Sequence, residues 1–391
     1  MAYSHDICIR GAGIVGRVLA LLLARESLRV ALVDPVRAAA GPDVRAYALN
    51  ASARALLEDL RCWPAGQAVT PVHAMEVFGD AGGHLQFTAA QQGMHSLNWM
   101  VDVPALESGL AEAVRFQPRI ECVQAPVAAP LTVVCEGRAS QTRSELGVAF
   151  DISPYEQHAL AARLLCEQPH AGVARQWFRF APAPGLAQPQ PEILALLPLG
   201  GEGAREVALV WSVHPARAQA LQTLAAEAFA EELGTACDRA LGRLELHSER
   251  AIWPLQLARA ERWTGRMPGL ADQAFALAGD AAHTLHPLAG QGLNVGLADA
   301  AELARVIQHK EYWRSLADPR LLRRYERARQ ADVLAMGLVT DGLQRLFARQ
   351  GGLWPQLRNQ GLSGFDRSGP IKRWMARQAM GTTASSAKGT T

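Results

Sequence analysis

The N-terminal segment contains an ordered series of elements that few folds accommodate. A short apolar strand at residues 6–9 leads into the sequence GAGIVG, in which Gly11, Gly13 and Gly16 are spaced G-x-G-x-x-G, and an apolar helix face follows. A second apolar strand ends in Asp34, where a dinucleotide-binding fold places the acid that binds a ribose. The glycines permit a tight turn and let helix-start amides approach a pyrophosphate. This order predicts dinucleotide binding, although Arg10 stands where an apolar residue is usual.

A second informative run lies near the other end of the chain, at residues 276–296. It predicts a buried strand that ends in Gly279-Asp280, a proline at position 287, and a glycine-flanked helix start. One carboxylate followed by free helix-start amides suits a ligand that carries both hydroxyls and electron-rich oxygens. A flavin dinucleotide is such a ligand.

A third segment, residues 133–143, connects the first two to a known family. It reads VVCEGRASQTR, similar to the D-G-x-x-S-x-x-R motif, with Glu136 in place of aspartate and with Gly137, Ser140 and Arg143 in register. Together the three segments resemble the single-component flavoprotein aromatic hydroxylases of the p-hydroxybenzoate hydroxylase type. The wording HPLAGQGLN at residues 286–294 is similar to the branch that hydroxylates polyprenylated phenols in ubiquinone biosynthesis. The likeness extends from about residue 6 to residue 381.

The resemblance implies FAD as cofactor, NAD(P)H or another donor as transient reductant, and oxygen transfer from a flavin hydroperoxide to a phenol ring. It places Asp280 on the ribityl chain, Arg45 near the pyrophosphate, and Pro287 beside the space where oxygen reacts, with His286 next to it. Backbone amides at the helix start are expected to face the pyrimidine edge of the flavin. The cofactor contacts predicted in this way are Gly11, Gly13, Gly16, Asp34, Arg45, Glu136, Gly137, Gly279, Asp280, Gly290, Gly292, Leu293 and Asn294.

Some of these residues have a plainer interpretation. Arg45 also fits a surface loop, and His286 also fits a packed, hydrogen-bonded histidine. Asp280, His283 and His286 have the composition of a metal site, but Pro287 disfavours the regular helix that would align the histidines, so we predict no metal. Three tryptophans are more typical of sheet core than of a substrate wall: Trp177, Trp211 and Trp253.

Composition limits the classes of function. The chain has 39 Lys and Arg residues against 37 Asp and Glu residues. This near balance lacks the excess of positive charge that is typical of a nucleic-acid-binding protein. Six scattered cysteines without a C-x-x-C pair indicate reduced thiols. No run approaches the roughly 18 apolar residues of a membrane span. These features favour a cytoplasmic enzyme, with a peripheral contact at the inner face of the membrane as a further option.

The predicted fold class is α/β (α+β): a three-layer FAD domain with an inserted, mainly antiparallel sheet and a C-terminal helical region. Hairpin strands are expected at residues 75–78 and 84–87, further strands at 177–180 and 208–211, and helices at 295–307, 321–329, 333–347 and 371–380. The predicted domains are a discontinuous FAD domain (1–72, 99–166, 270–330), a substrate domain (73–98, 167–269), a helical region (331–381) and a disordered tail (382–391).

Two hypotheses of function follow. The first is an aromatic hydroxylase that acts on a polyprenylated phenol with O2. The second, suggested by Glu136 and Arg10, is a weakly active or non-catalytic flavoprotein that serves as an interaction subunit with other ubiquinone-biosynthesis proteins. A flavin-dependent oxidoreductase acting on another aromatic or lipid substrate is a further alternative. Residues 370–380 predict an amphipathic helix with Trp374 among basic residues, suited to a membrane surface, a partner or the enzyme's own core.

Overall fold

The computed structural model describes residues 3–35, 44–80, 82–284 and 292–348, with the backbone alone for residues 335–348. Four predictions lie outside the described residues: the roles of His286, Pro287 and Gly290, and the structure of the segment after residue 348.

The strands lie in three sheets within the described residues. In chain order they are β1 Ile7–Arg10, β2 Val30–Val33, β3 Ala46–Leu49, β4 Val69–Val72, β5 Ala74–Phe78, β6 His84–Thr88, β7 Asn98–Asp102, β8 Ile120–Val123, β9 Leu131–Val134, β10 Phe150–Cys166, β11 Val173–Ala181, β12 Gln190–Leu199, β13 Glu206–Val213, β14 Leu244–Leu246, β15 Ala251–Ala260, β16 Thr264–Met267, β17 Leu270–Leu277 and β18 His283–Thr284.

Helices connect these strands and close the described part of the chain. They are α1 Ile14–Arg25, α2 Ala51–Asp59, α3 Val103–Arg115, α4 Gln141–Glu145, α5 Pro215–Thr223, α6 Ala226–Ala236, α7 Gly292–Gln308 and α8 Pro319–Ala348.

A six-stranded sheet, ordered β16-β17-β9-β1-β2-β8, contains the three sequence segments that predicted a flavin site. Strands β17, β9, β1, β2 and β8 run parallel, and β16 pairs antiparallel at one edge. Strands β1, β2 and β9 are short apolar runs with almost every residue buried, as is typical of parallel strands covered on both faces. The main hydrophobic core packs α1, α3, α7 and the start of α8 against this sheet.

The larger sheet has nine strands and is mainly antiparallel, ordered β18-β15-β10-β13-β12-β11-β5-β6 with β14 beside β10. The predicted hairpin is present as β5 and β6, with Met75 opposite Phe87. Trp177 and Trp211 lie in the core of this sheet, and Trp253 is half-buried. The fold class predicted from the sequence, a mixed α/β protein with parallel and antiparallel sheets, is therefore confirmed.

The helical stretches predicted at residues 321–329 and 333–347 lie in one continuous helix, α8, because residues 330–332 include neither glycine nor proline to interrupt it. One detail differs from the expectations. Strand β10, which the predicted range 99–166 places in the FAD domain, pairs with β13 and β15 in the nine-stranded sheet. The domain ranges themselves stay a prediction.

Candidate active site

The three segments singled out in the sequence meet at one edge of the parallel sheet. Arg10 is paired with Val134, and Val134 with Leu277, so strands β1, β9 and β17 end side by side. The Cys135 amide donates to the Arg10 carbonyl at 2.8 Å, and the Ala278 amide donates to the Val134 carbonyl at 3.0 Å. Loops that begin about 270 residues apart in the chain therefore start next to one another. Ligands of open α/β sheets bind at this carboxyl edge.

Each glycine of the N-terminal turn has a different structural reason. Gly11 has a φ of +112°, and a Cβ there would lie 2.5 Å from the Cys135 carbonyl oxygen. A Cβ on Gly16 would lie 1.9 Å from the Gly11 carbonyl oxygen, so this position allows α1 to begin directly on the turn. Gly13 has an extended backbone and open space around its Cβ position. Gly11 and Gly16 are thus required by the fold, whereas Gly13 leaves room beside the helix start.

Helix α1 begins with backbone amides that have no side-chain cap. Gly13 is the N-cap residue, so no side-chain oxygen of that residue accepts from the first turn. Unpaired amides and the positive end of the helix dipole favour an anion such as a pyrophosphate. The side chain of Val15, in this first turn, fits between two glycines: a Cβ on Gly296 would lie 2.8 Å from Val15 Cγ2, and one on Gly279 3.4 Å. Close packing thereby brings the Gly279-Asp280 turn to the start of α1.

Asp280 is an exposed carboxylate at the convergence of these loops. Its side chain makes no hydrogen bond or ion pair with any residue in the described ranges. Desolvation by the surrounding protein raises the pKa of Asp280, while the charges of His283, Arg138 and Arg45 act to lower it. A carboxylate that is reachable from solvent yet enclosed by protein is an acceptor open to a hydroxyl-bearing ligand.

Behind the same turn lies a second carboxylate, Asp299, which is fully buried on helix α7. Its Oδ2 accepts from the Gly279 amide at 2.9 Å and from His283 Nε2 at 2.6 Å, and its Oδ1 accepts from Arg329 Nε at 2.8 Å. Burial alone would raise the pKa of Asp299, but His283 and Arg329 hold it below the ordinary value. Asp299 therefore fixes the backbone of the turn that presents Asp280.

Glu136 and Arg10, the two departures from the family pattern, contact each other. Arg10 Nε lies 3.2 Å from Glu136 Oε1. Glu136 also accepts from the Ser140 hydroxyl at 2.7 Å, from the Thr142 hydroxyl at 2.5 Å and from the Thr142 amide at 3.1 Å. Burial tends to raise the pKa of Glu136, but these hydrogen bonds and Arg10 lower it overall. The Glu136 side chain thus stabilises the start of α4, where Ser140 is the N-cap.

Arg143, at the end of the same motif, ties this segment to the Asp280 turn. Its guanidinium donates to the carbonyls of Ala281 at 3.1 Å and Arg138 at 3.0 Å, and it stacks over the Phe150 ring at 3.6 Å from the centroid. Gly137, between Glu136 and Arg138, has a φ of +75° and open space around its Cβ position. This motif therefore supports the Asp280 turn, and the Cβ position of Gly137 faces open space.

The remaining predicted contacts surround this centre. Asn294, buried in the first turn of α7, accepts from the Asn50 amide at 2.9 Å and donates to the Ala48 carbonyl at 2.7 Å. These bonds hold α7 against the end of β3, which follows Arg45. Gly292 begins α7, and Leu293 packs in the core. These α7 residues can therefore offer a cofactor mainly their backbone groups.

Arg45 and Asp34 flank the site on two sides. Arg45 is exposed, and its guanidinium donates to the Tyr47 hydroxyl at 3.3 Å. Asp34 follows β2 and lies 3.7 Å from Arg17 Nη2. It lines a cavity of about 260 Å³ together with Arg17, Arg115 and Cys122. Asp34 thus follows the strand beside β1, and the charge of Arg45 acts on Asp280.

Sequence reasoning did not single out Asp299, nor Arg329 on α8 as its partner. A signal was present: Val295, Asp299 and Leu303 recur every four residues, so a charged residue lies in the apolar stripe of α7. A carboxylate at such a position requires a buried partner. His283, weighed as a metal ligand, is instead 2% exposed and donates to Asp299. Among the described residues, no three His, Cys, Asp or Glu side chains form a group that could hold a metal ion.

These features fit an FAD. The uncapped start of α1, the space beside Gly13, and an Asp280 carboxylate with no partner among the described residues match a pyrophosphate and a polyhydroxylated chain. A family model described as an FAD binding domain matches residues 85–337. This match confirms the predicted cofactor, FAD.

Relatives that match almost the whole chain show which family it belongs to. The ubiquinone hydroxylase UbiL of Rhodospirillum rubrum is 31% identical, with 96% of this chain and 90% of the relative covered. The 3-demethoxyubiquinol 3-hydroxylase of Escherichia coli is 30% identical, with 96% and 98% covered. The chain is an FAD-dependent monooxygenase of the ubiquinone-hydroxylase family. The predicted family and enzyme class are confirmed. The crystal structure of p-nitrophenol 4-monooxygenase PnpA from Pseudomonas putida has the same fold, with a TM-score of 0.71 at 17% identity and coverage of 98% and 100%. In the described part of this chain, no helix has the length and apolarity needed to span a bilayer.

Proposed function

We propose that this enzyme hydroxylates the ring of a polyprenylated phenol in ubiquinone biosynthesis, with O2 as the source of the oxygen atom and NAD(P)H as reductant. The proposal rests on the convergence of three loops at Asp280, whose carboxylate has no partner among the described residues, in a chain of this family. The names of the two relatives supply the substrate class.

Each part of the proposed site has a separate task. The α1 amides and Arg45 would hold the pyrophosphate of FAD, and Asp280 would accept from its ribityl hydroxyls. Gly279 would fix the depth of the cofactor, because Asp299 and Val15 leave that turn little freedom. When bound, FAD supplies the redox chemistry and the activation of oxygen. Gly290, Pro287 and His286 remain proposed contacts in a segment outside the described residues.

The alternative hypothesis, a weakly active or non-catalytic interaction subunit, was based on Glu136 and Arg10. Glu136 and Arg10 form an ion pair with each other, and Glu136 accepts three hydrogen bonds that order α4. The exchange of aspartate for glutamate is thus accommodated inside this structure. It is not by itself a sign of lost activity.

A coupled assay of the purified protein tests the proposal. We expect a yellow protein whose NAD(P)H oxidation and oxygen consumption rise when a short-chain prenylated phenol is added, with formation of a product 16 mass units heavier. The matched control is the same phenol without its prenyl chain, which should stimulate less. FAD-loaded protein that consumes no oxygen with any prenylated phenol would contradict the proposed reaction.

A further inference from the structure

Helices α7 and α8 are joined by a loop that exposes two neighbouring aromatic side chains. Tyr312 is 89% exposed and Trp313 69% exposed, and their rings contact each other edge to face at a centroid distance of 4.9 Å. Aromatic side chains of this size usually bury most of their surface, and exposed tryptophan and tyrosine are enriched where proteins meet the interface of a lipid bilayer. The loop therefore presents an apolar surface that needs an explanation.

A row of arginines lies on the helix that follows. Arg320, Arg323 and Arg327 are exposed and are spaced three and four residues apart, which places them on one side of α8. None of the three makes an ion pair with a residue in the described ranges. The ion pair between Arg324 and Glu311, at 3.3 Å, brings this helix beside the aromatic loop.

The acidic residues nearby do not neutralise this row. Glu311 pairs with Arg314 at 2.7 Å and with Arg324, and these contacts lower its pKa to about 2. Asp318 pairs with Arg314 at 2.6 Å. Glu326 accepts from the Trp263 amide at 2.7 Å and the Thr264 hydroxyl at 3.0 Å and keeps its negative charge. The three arginines outnumber this one remaining carboxylate, so this surface has a net positive charge.

We propose that Tyr312, Trp313 and the arginine row form a contact surface for an anionic phospholipid bilayer, which we term the aromatic–arginine surface. The aromatic rings would enter the headgroup region, while the arginines would bind lipid phosphates. This contact involves a different segment from residues 370–380. It deepens the proposed function, because a polyprenylated substrate dissolves in such a bilayer.

Vesicle binding by the full-length FAD-loaded enzyme, measured without substrate, tests this surface separately from the reaction. We expect binding to vesicles of phosphatidylcholine mixed with phosphatidylglycerol, weak binding to pure phosphatidylcholine, and loss of binding at high salt. The double variant Arg323→Glu with Arg327→Glu should bind about thirtyfold more weakly or worse, since each basic residue near an anionic surface contributes roughly fivefold. Tyr312→Ser with Trp313→Ser should also weaken binding.

Matched control variants lie beside the nine-stranded sheet. Arg205 and Arg243 are exposed and flank the end of β10, so Arg205→Glu with Arg243→Glu makes the same change in charge. Leu186, 43% exposed, provides an apolar control as Leu186→Ser. Both controls should bind like wild type. The proposal is overturned if the wild-type enzyme does not bind anionic vesicles, or if the surface variants and the control variants bind them equally well. It is also overturned if the enzyme binds RNA through the arginine row but does not bind vesicles. Circular dichroism and flavin content establish that each variant is folded.

Discussion

Asp280 and Asp299 lie on opposite sides of the same glycine, and their surroundings differ in almost every respect. Asp280 is exposed, has no hydrogen-bond partner among the described residues, and has a raised pKa. Asp299 is fully buried, accepts three hydrogen bonds, and has a lowered pKa. The two carboxylates therefore differ in what they can do: Asp299 holds the backbone of the Gly279-Asp280 turn, and Asp280 remains accessible to solvent.

The largest expected effect is on the free energy of unfolding, when the buried Asp299 is replaced. Asp299→Ala leaves Arg329 without its buried partner and leaves the Gly279 amide and His283 without an acceptor. Removing one member of a buried pair costs about 3 to 5 kcal/mol. We expect urea denaturation to show a loss of that size in the free energy of unfolding. Glu302→Ala, which removes an ion pair with Arg305 on the outside of α7, should cost less than about 1 kcal/mol. Similar losses for both variants would contradict the role of Asp299.

The exposed side should show the reverse pattern. Asp280→Asn removes the charge that would accept from the ribityl chain, and a lost charge-assisted hydrogen bond weakens FAD binding about ten- to a hundredfold. The free energy of unfolding of the FAD-free protein should not fall, because Asp280 makes no hydrogen bond or ion pair within the described structure. Fluorescence titration with FAD measures the affinity. Unchanged affinity would refute the placement of the ribityl chain beside Asp280.

Gly13 offers a smaller test of the front of the site. In Gly13→Val the Cβ meets no atom of the described residues and no unusual φ is required, so the FAD-free protein should fold normally. A branched side chain beside the free amides should weaken FAD binding about tenfold or more if the pyrophosphate lies there. Gly109→Ala in α3, where the Cβ position is equally open, is the control and should retain FAD fully. Equal FAD retention by both variants would disprove the position of the pyrophosphate.

The smallest expected effect is on pH dependence. Because the pKa of Asp280 in the folded protein is raised, its ionisation opposes folding, and stability is lost as pH rises through that pKa. Asp280→Asn lacks this loss, so its stability relative to wild type should increase with pH above the ordinary carboxylate range. Urea midpoints of the FAD-free proteins, measured over a pH series, test this sign. A relative stability that decreases with rising pH would mean that Asp280 has a stabilising partner.

Local sequence patterns predicted much of this architecture. The glycine turn between β1 and α1, the β5–β6 hairpin and the helical pattern of α7 each depend on residues close together in the chain. Hydrophobic spacing predicted helix at residues 321–329 and 333–347, but it does not show that both stretches belong to one long helix. Arg10 and Glu136 looked like separate anomalies, since their ion pair joins residues 126 positions apart in the sequence.

The sequence by itself determined the loops of the site, because glycine spacing, apolar strands and a terminal acid are short-range patterns with short-range physical causes. It also determined the family, through motifs that can be read along the chain. Only the tertiary structure decided which carboxylate would be exposed and which would be buried. Gly279 receives its support from Asp299 and Arg329, and the strength of that support depends on desolvation and on partners brought together by packing. Neither the desolvation nor the set of partners is determined by residues that are neighbours in the sequence.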